Sequence, residues 1–566
     1  MTFSLPRLAD SGSISRVTGA RPPSRGVGRR LAALAFELSP QVFAVLGVLA
    51  GGLMLWSAAT PAGPGRLAWL ESVLPPALID LSHLAASLTG FLLLLLAAGL
   101  WRRRRGAWLA VMVLLGGGAV LSLAKGFDWE EALQLLAVAG VLWPCRGAFD
   151  RRSRLLESLS PSWIALLLAA IGGMLWLGFF TYRDVAYGDD LWWSLITDRE
   201  VSGFLRAGAV VALLAVILAG RALVSAPGAP RRQPLAADEL ARVLEILKAA
   251  EGVTPDAWLA TLGDKALLFS PSGRSVLAYG VRGRRWIAMG EPAGPIEERL
   301  PLLWAFAELA DSYGGAPVFH AVGERLLADL ASLGLAVRKV GETALVPVEA
   351  FSLEGKARQG LRTAVNRFER EGATFEVRMP GDPGPDMAEL RAVSDAWLAR
   401  HNGAEKRFSL GCFDADYLSR TPLALVRQEG RVIAFANLLP GADRVAVDLM
   451  RHRPDAPTGV MDYLFVRLIQ WARDQGLAAV DLGMAPLAGL EDRRLAPVFA
   501  RVGALVFEEG GALYGFQGLR TYKAKFGPDW RPRFIAAPAS TPLPLALLDV
   551  ALLTSGGWLG LLGLKR

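Results

Sequence analysis

The sequence predicts a chain of two unlike parts, a membrane α-helical bundle followed by a soluble α/β domain. Three observations lead to this prediction. Of the 566 residues, 52% are hydrophobic and only 20% are charged, and the mean hydropathy is +0.34, which is too apolar for an ordinary soluble enzyme. The apolar residues concentrate in long stretches of the first part. From residue 233 onward the hydropathy falls, and helical periods alternate with short strand-like runs.

The chain begins with a segment rich in Arg, Ser, Pro and Gly. This segment lacks the compact order of charged, apolar and small residues that marks a cleavable signal peptide. We therefore interpret residues 1–30 as a disordered, basic cytoplasmic tail.

Six apolar stretches follow the tail, at 31–58, 78–101, 107–124, 132–145, 162–180 and 203–225. Most are near the length of about 20 residues that a helix needs to cross a bilayer core, and the fourth is short. Arginines follow the second, fourth and sixth stretches, whereas the other loops are more acidic. Because cytoplasmic loops hold the excess of Lys and Arg, residues 31–230 are predicted to be a transmembrane region of about six helices, with everything after Arg232 in the cytoplasm.

The part after residue 233 has the mixed pattern of an α/β domain. Its helical period is clearest at Leu240, Val243, Leu244 and Leu247, and strand-like runs occur at 266–270 and 432–438. This segment is longer than a single domain core usually requires, and the pattern of helical periods and strand-like runs occurs twice. We therefore predict two subdomains, at 233–350 and 373–540.

A basic linker, residues 351–372, joins the two subdomains. Leu361, Val365 and Phe368 form one apolar stripe in it, and basic residues that include Arg358 and Arg362 occupy the other positions. This spacing predicts an amphipathic helix. Its basic face is either simply solvated or binds the phosphates of a nucleic acid or of lipid head groups.

The carboxy-terminal segment, residues 541–566, is apolar again. If it crossed the membrane, Lys565 and Arg566 would lie outside, against the charge rule. We therefore predict an interfacial tail, a helix that lies on the membrane or docks on the protein.

Charge and cysteine content narrow the function classes. The formal net charge of +8 suits anionic partners such as nucleic acid or anionic lipid, although positive loops beside a membrane give the same total. Cys145 and Cys412 are far apart, and the four histidines show no ligand spacing. We expect neither a disulfide nor a structural metal.

Several blocks of sequence, in order along the second part, carry a resemblance to a known family. They are FSLGCFDADYL at 408–418, VIAFANLLP at 432–440, DLMRHRPDAPTGVMDYL at 448–464, DLGMAPLAGLEDR at 481–493 and GLRTYKAKFGPDW at 518–530. GDKALLFSPSG at 263–273, AMGEPAGP at 288–295 and GETALVPVEAFSLEGKARQGLR at 341–362 extend the likeness. The chain resembles the synthase domain of the multiple peptide resistance factor family, the aminoacyl-phosphatidylglycerol synthases.

The resemblance implies a fold and an activity. The fold would be two tandem acetyltransferase-like (GNAT) folds. The activity would be transfer of a lysyl or alanyl group from aminoacyl-tRNA to the glycerol hydroxyl of phosphatidylglycerol, without a cofactor. It would take place on the cytoplasmic side of the bacterial inner membrane and give resistance to cationic antimicrobial peptides. Long members of the family carry an extra flippase bundle, and we expect this chain to correspond to the synthase portion without it.

Such a reaction sets three chemical requirements. An aminoacyl ester is already activated, so the enzyme needs an acidic group to hold the ammonium or accept the hydroxyl proton, cations for phosphates, and donors for the oxyanion. Asp448 and Arg451 end the strand-like run 444–449, before a Pro-rich turn and the helix 461–473. In acetyltransferase-like folds this junction faces the acyl donor. Asp448 is the predicted catalytic acid, and Arg451 binds a phosphate or holds Asp448; the alternative is a structural ion pair.

A second predicted cluster contains Arg520, Lys523 and Lys525. The alternation in KAKF predicts a strand or an extended edge, with Lys523 and Lys525 on one side. The cluster either contacts phosphate or ribose near the acyl ester, with Lys523 at the reacting group, or is an exposed basic edge.

The amino-acid pocket is the third predicted feature. Asp481 closes the run 478–481, and it either lines the pocket or caps the next helix. Phe408, Ser409 and Gly411 would shape the same pocket, although Phe408 fits a core position equally well.

Three other functions fit parts of the sequence. A membrane-tethered acyltransferase with another acyl donor, such as acetyl-CoA, would need a pyrophosphate-binding turn, and the loop 453–460 lacks its second glycine. A peptidoglycan-bridge aminoacyltransferase shares the duplicated fold but has no need of six spans. A lipid transporter with a degenerate soluble domain would not need the Asp and Lys clusters.

Overall fold

The computed structural model describes residues 27–59, 72, 76–151, 235–249, 252–382, 387–400, 405–509 and 516–561. Its described residues fall into two compact units: those up to residue 151 belong to the first, and those from residue 235 onward, apart from Asp311–Gly314, to the second. The predicted tail, up to residue 26, and the apolar stretches at 162–180 and 203–225 lie outside the described residues.

The first unit is helical. Its elements are α1 (Val27–Ala59), α2 (Pro76–Trp101), α3 (Arg105–Gly126), α4 (Trp129–Leu142) and a 3₁₀ turn at Pro144–Ala148. These helices coincide with the first four predicted apolar stretches. Two described segments, Leu38–Leu55 and Arg105–Ala124, have the length and composition to cross a membrane, and Ala85–Trp101 is a shorter apolar segment. The bundle of six spans stays a prediction.

Helices α1 and α2 are in close backbone contact at two glycines. A Cβ built on Gly51 would lie 2.7 Å from the carbonyl oxygen of Gly90, and one built on Gly90 would lie 2.8 Å from that of Gly51. No larger residue fits at either position without moving a backbone. Crossings built on small residues are typical of helices that pack together in lipid.

The second unit is built on one mixed sheet, in which the described strands have the order β1-β2-β3-β4-β11-β5-β10-β9-β8-β7-β6. The strands are β1 (Ala266–Phe269), β2 (Val276–Arg282), β3 (Arg285–Met289), β4 (Ala316–Val322), β5 (Ala336–Pro347), β6 (Thr374–Arg378), β7 (Leu423–Gln428), β8 (Arg431–Pro440), β9 (Arg444–His452), β10 (Ala479–Pro486) and β11 (Asp529–Ala537). The α/β character predicted for this part is therefore confirmed.

Helices cover the sheet and connect its strands. They are α5 (Ala237–Ala249), α6 (Ile296–Ser312), α7 (Leu327–Ser332), α8 (Gln359–Arg370), α9 (Met387–Arg400), α10 (Ala415–Ser419), α11 (Val460–Asp474), α12 (Val498–Glu509), α13 (Phe516–Ala524), α14 (Leu543–Thr554) and α15 (Trp558–Leu561). Short 3₁₀ helices lie at Pro255–Leu262, Glu324–Leu326 and Lys356–Arg358.

The same topology occurs twice in this sheet. Strands β1, β2 and β3 are antiparallel, and β4 then returns parallel to β3 after helix α6. Strands β7, β8 and β9 repeat this pattern, with β10 parallel to β9 after helix α11. This repeat resembles the acetyltransferase-like fold. The halves also exchange their last strands, because β5 pairs with β10 and β11 pairs with β4.

Helix α8 has the apolar stripe that its sequence predicts. Leu361, Val365 and Phe368 are buried in the core that also holds helix α11. Phe368 stacks on Tyr463, with 5.2 Å between the ring centroids. The hydrophobic spacing alone is therefore sufficient to orient this helix.

Helix α14 in the carboxy-terminal tail docks on the protein, which was one of its two predicted placements. Its Asp549 is buried and forms ion pairs with Arg285, at the start of β3, and with Arg282, at the end of β2. A buried carboxylate needs such partners, since desolvation of an unpaired charge is costly.

Glu298, in the first turn of α6, gives the fold a specific sensitivity to acid. It accepts hydrogen bonds from Ser272 and Ser275, both at 2.6 Å, and from Arg274 at 2.8 Å. Burial alone would raise the pKa of Glu298, but these donors lower it to about 2. The stabilisation is therefore present above the unfolded pKa of about 4.5 and is lost as the pH falls toward about 2.

We expect Glu298→Gln to flatten the loss of thermal stability between about pH 4.5 and pH 2, because glutamine cannot gain a proton there. The melting temperature as a function of pH measures this effect. Glu297→Gln, at the exposed neighbouring position, is the matched control and should keep the wild-type acid dependence. Equal acid dependence in Glu298→Gln and the wild type would contradict the assignment.

Candidate active site

A β-bulge in strand β9 organises the candidate site. Ala436 pairs with Met450 and Leu438 pairs with Val447, so that two residues of β9, Asp448 and Leu449, lie opposite the single residue Asn437 of β8. Bulges re-aim side chains and are frequent next to active sites. The side chain of Asn437 stabilises the bulge in β9. Its Oδ1 accepts a hydrogen bond of 2.8 Å from the N–H of Leu449, which the bulge leaves without a partner in the ladder.

The bulge also changes which side chains share a face. In a regular strand, residues three apart point to opposite faces. The extra residue in β9 brings Asp448, Leu449 and Arg451 toward the same side, where Leu449 joins the core that contains Tyr417. The sequence spacing of Asp448 and Arg451 therefore becomes compatible with a common site.

Three neutral groups donate hydrogen bonds to the carboxylate of Asp448. Its Oδ1 accepts from the backbone N–H of Gly411 at 2.7 Å. Its Oδ2 accepts from the Tyr417 hydroxyl at 2.8 Å and from the Asn437 amide at 3.3 Å. Two carboxylate oxygens offer about four acceptor positions, so these three bonds fix the group and leave room for one more donor.

Burial raises the pKa of Asp448, while the N–H of Gly411, the two side-chain donors and the Lys265 ammonium oppose this rise. A carboxylate with a raised pKa is a stronger base than an exposed one. Tyr417 stays protonated, because burial and the adjacent Asp448 both raise its own pKa. The geometry therefore provides an oriented carboxylate that is able to accept a proton.

The predicted pocket residues lie in the loop that contributes the Gly411 N–H, and they differ in role. Phe408 is 2% exposed and belongs to the core, in agreement with its alternative interpretation. It adopts φ of 63°, in the left-handed region. The Ser409 hydroxyl is bonded to Thr554 of helix α14, at 2.8 Å. Gly411 contacts Asp448 directly.

Arg451 does not hold Asp448, which was one of its two predicted roles, and does not form the alternative ion pair with it. It pairs with Glu405 at 3.2 Å, and its guanidinium lies 4.1 Å from the ring centroid of Trp397 in helix α9. The partners of Asp448 among the described residues are the neutral donors named above. The structural ion pair between Asp448 and Arg451, which was the alternative to a catalytic role, is therefore wrong.

Strand β10 has its own irregularity, beside the end of β9. The parallel pairing of β9 and β10 ends at Ala446 and Asp481. In β10 the register against β5 then shifts between Asp481 and Met484, and Gly483 has φ of 85°. Both strands of the parallel pair are therefore distorted just beyond the point where their pairing ends.

Asp481 is not at a strand end, because β10 continues to Pro486, and it does not cap a helix. It accepts a hydrogen bond of 2.7 Å from Thr343 and one of 2.8 Å from the Gly483 N–H. It also lies 3.7 Å from Arg533 of β11. The prediction that the strand ends at Asp481 was wrong. The alternating pattern breaks there, but the break is a β-bulge, and the strand continues beyond it.

Lys523 lies on a helix, and the prediction of an extended edge was wrong. Helix α13 includes Arg520 and Lys523 and ends at Ala524. Tyr522, in this helix, and Phe526, two residues beyond its end, both contact Phe465 of helix α11. A four-residue alternation is too short to outweigh an i, i+4 aromatic pair.

The Lys523 amine points to the end of the β9–β10 pair. It is 5% exposed and donates a hydrogen bond of 3.1 Å to the carbonyl of Met484. A Cβ on Gly483 would lie 3.5 Å from this amine and 4.0 Å from the carbonyl oxygen of Val447, the residue before Asp448. Burial lowers the pKa of Lys523 to about 8, against the opposing charge of Asp481.

The other predicted basic residues have structural partners. Arg520 pairs with Glu342 at 3.1 Å and lies over the ring of Trp530, and Lys525 is exposed and 3.5 Å from Asp462. Arg358 donates to the carbonyl of Lys525. Arg362 donates to the carbonyls of Leu353 and Gly355. The structure does not gather these four side chains around Asp448.

Sequence reasoning missed several residues that surround the site. Tyr417 and Asn437 lie in the quoted blocks FDADYL and FANLL, but no local pattern marks them as partners of Asp448. Arg533 lies 3.8 Å from Asp256 as well as 3.7 Å from Asp481, and it thereby connects the two halves of the unit. Only the folded sheet brings these positions together.

Comparison with known proteins identifies the family. Residues 244–537 match the family model described as phosphatidylglycerol lysyltransferase, C-terminal. A phosphatidylglycerol lysyltransferase of Bacillus subtilis (strain 168) is 31% identical over 507 residues, which cover 89% of this chain and 58% of that protein. One from Staphylococcus haemolyticus is 28% identical over 465 residues, or 81% of this chain and 54% of that protein.

A solved structure agrees with these matches. It is the crystal structure of the C-terminal domain of a putative lysylphosphatidylglycerol synthetase from Agrobacterium fabrum, with 41% sequence identity and a TM-score of 0.51. It covers 57% of this chain and 98% of that one. The chain spans a little over half the length of the two relatives named above. Because the family model covers residues 244–537, more than half of the sequence, the chain belongs to the phosphatidylglycerol lysyltransferase family.

Proposed function

We propose that this chain transfers an aminoacyl group, lysyl before alanyl, from aminoacyl-tRNA to the glycerol hydroxyl of phosphatidylglycerol. The relatives are named for lysyl transfer to this lipid, which supports the acceptor and favours lysine. The tRNA donor is inferred from the family resemblance and from the chemistry of the site. The catalytic unit would lie on the cytoplasmic side of the bacterial inner membrane, and the product would reduce the negative charge of the membrane and the action of cationic peptides.

The observation that carries the proposal is the environment of Asp448. Its carboxylate is held by three neutral donors, at a bulge beside the end of a parallel strand pair. No cation among the described residues lies within 4.0 Å of it. A half-buried carboxylate that is fixed by neutral donors and keeps acceptor capacity suits a substrate ammonium or hydroxyl proton better than it suits a structural ion pair.

The reaction exchanges one ester for another. The glycerol hydroxyl attacks the carbonyl of the aminoacyl ester, its oxygen forms the new ester bond, and the bond to the tRNA ribose oxygen breaks. The proton of the glycerol hydroxyl ends on that ribose oxygen. Asp448 would either carry this proton between the two oxygens or hold the ammonium of the aminoacyl group, and Lys523 would contact a phosphate or ribose near the ester.

The turn before helix α11 gives little support to the rival donor acetyl-CoA. A pyrophosphate cradle is built from free backbone N–H groups at a helix amino terminus. Pro454 and Pro457 have no N–H, and the N–H of Val460 is bonded to the carbonyl of Pro457 at 3.2 Å. This favours a donor whose phosphates are held by side chains.

We expect cells that express this chain to form a new aminoacyl-phosphatidylglycerol when they are supplied with labelled lysine. The measurement is the lipid profile after labelled lysine, alanine or arginine is supplied in turn, with cells that lack the chain as the control. Lysine should give the strongest signal. If the chain is present in the membrane and none of the three labels enters a lipid, the proposed function is wrong.

A further inference from the structure

Lys265 is a fully buried cation close to the candidate site. Its side chain has 0% exposure and its Nζ donates hydrogen bonds to the carboxylate of Asp264, at 2.5 Å, and to the carbonyl of Leu259, at 2.9 Å. Burial lowers the pKa of Lys265, and Asp264 and Asp448 oppose this effect. A buried ammonium is costly to retain, so its presence calls for an explanation.

The partner of Lys265 holds the loop that serves Asp448. Asp264 uses its second oxygen to accept the backbone N–H of Phe408, at 2.5 Å. This hydrogen bond helps to hold Phe408 in its left-handed backbone conformation, which is unfavourable for a bulky residue. Three residues later, the N–H of Gly411 donates to Asp448 at 2.7 Å. The loop therefore runs from the Lys265–Asp264 pair directly to the catalytic carboxylate.

Lys265 also acts on Asp448 through its charge. Its ammonium lowers the pKa of Asp448, and the Asp448 carboxylate in turn favours the charged form of Lys265. The ammonium lies 5.7 Å from the ring centroid of Phe408. Lys265 immediately precedes strand β1 and Asp448 lies in strand β9, yet Lys265 is coupled to Asp448 both through the loop and through space.

We propose that Lys265 is a positioning residue of the transfer reaction: with Asp264 it fixes the loop Phe408–Gly411 and supplies the positive charge that balances the carboxylate of Asp448. The inference rests on the proposed function, since it assigns Lys265 a part in the same reaction. Lys265 does not touch the reacting atoms in this account; it acts through Gly411 and Asp448.

The test compares Lys265→Met with wild type and with Lys248→Met, an exposed lysine of helix α5 that serves as the matched control. Two quantities are measured on the full chain. The first is amide hydrogen exchange of residues 405–417, which needs no substrate. The second is the pH dependence of aminoacyl-lipid formation, for which loss of a nearby cation should move the acidic limb to higher pH.

Lys265→Met should speed exchange in this loop by at least about tenfold and shift the acidic limb, whereas Lys248→Met should change neither. A folded Lys265→Met protein in which either quantity stays at the wild-type value overturns the proposal. If Lys265→Met does not fold, Asp264→Asn is tested instead by amide exchange of residues 405–417 alone, because this variant keeps the Lys265 ammonium; wild-type exchange in it would overturn the proposal. If the wild-type chain forms no aminoacyl lipid, the proposed function fails, and exchange alone decides the role of Lys265.

Discussion

Asp448→Asn should lower the formation of aminoacyl-phosphatidylglycerol by at least about a hundredfold per mole of folded enzyme, because general acid or base assistance is commonly worth about a hundredfold to ten-thousandfold. Asparagine keeps the shape of the side chain but has neither its charge nor its basicity. It also turns an NH₂ group toward one of the donors that now bind Asp448, namely Gly411, Tyr417 or Asn437. Since a buried donor left without an acceptor costs about 1–3 kcal/mol, a measurable loss of stability should accompany the loss of activity.

The matched control for this variant is Asp443→Asn. Asp443 immediately precedes strand β9, its side chain is 55% exposed, and its partner is the adjacent Arg444. Exposed ion pairs contribute little, so activity and stability should stay near the wild type. If folded Asp448→Asn protein has near-normal specific activity, Asp448 is not the catalytic acidic group, and Asp481 becomes the next candidate.

Gly411→Ala should also inactivate the enzyme, although it alters no ionisable group. A Cβ at this position would lie 1.9 Å from Oδ2 of Asp448 and 2.7 Å from its Cγ, so the loop and the carboxylate cannot keep their present geometry together. A misplacement of about 1 Å at a reacting group can cost about a hundredfold in rate. We expect a loss of that order, measured as the initial rate of lipid aminoacylation.

Gly360→Ala is the control for Gly411→Ala. Gly360 lies in helix α8, and a Cβ there would meet nothing within 4 Å. Alanine in an open helical position should increase helix stability by about 0.5–1 kcal/mol and leave the rate unchanged. If Gly411→Ala also keeps the wild-type rate, the contact between this loop and Asp448 has no part in catalysis.

The regular elements were predictable from sequence where the pattern was long. The run at 432–438 lies within strand β8, and the stripe of Leu361, Val365 and Phe368 predicts helix α8 and its buried face. Helix α11 begins at Val460, one residue before its predicted start. Each of these segments repeats its pattern over several residues, so that burial in the folded core and local periodicity agree.

The details of the site were less predictable, because they depend on departures from regularity. No local sequence pattern indicates the bulge at Asp448 and Leu449 or the bulge after Asp481. The helix that carries Lys523 was mistaken for an edge because its alternation is short. Asp448 could be singled out from its block of sequence, but Lys265 could not, since the two are connected only by the long-range contacts of Asp264 with Phe408 and of Gly411 with Asp448.

Transfer from tRNA to lipid at Asp448 can be measured with the purified full chain, lysyl-tRNA labelled in the lysine, and phosphatidylglycerol vesicles. The label that moves into the lipid is measured per mole of folded enzyme. We expect rapid labelling with wild type and Asp443→Asn, and a loss of at least about a hundredfold with Asp448→Asn. Absence of labelled lipid with folded wild-type chain, or equal labelling with Asp448→Asn, would contradict this expectation.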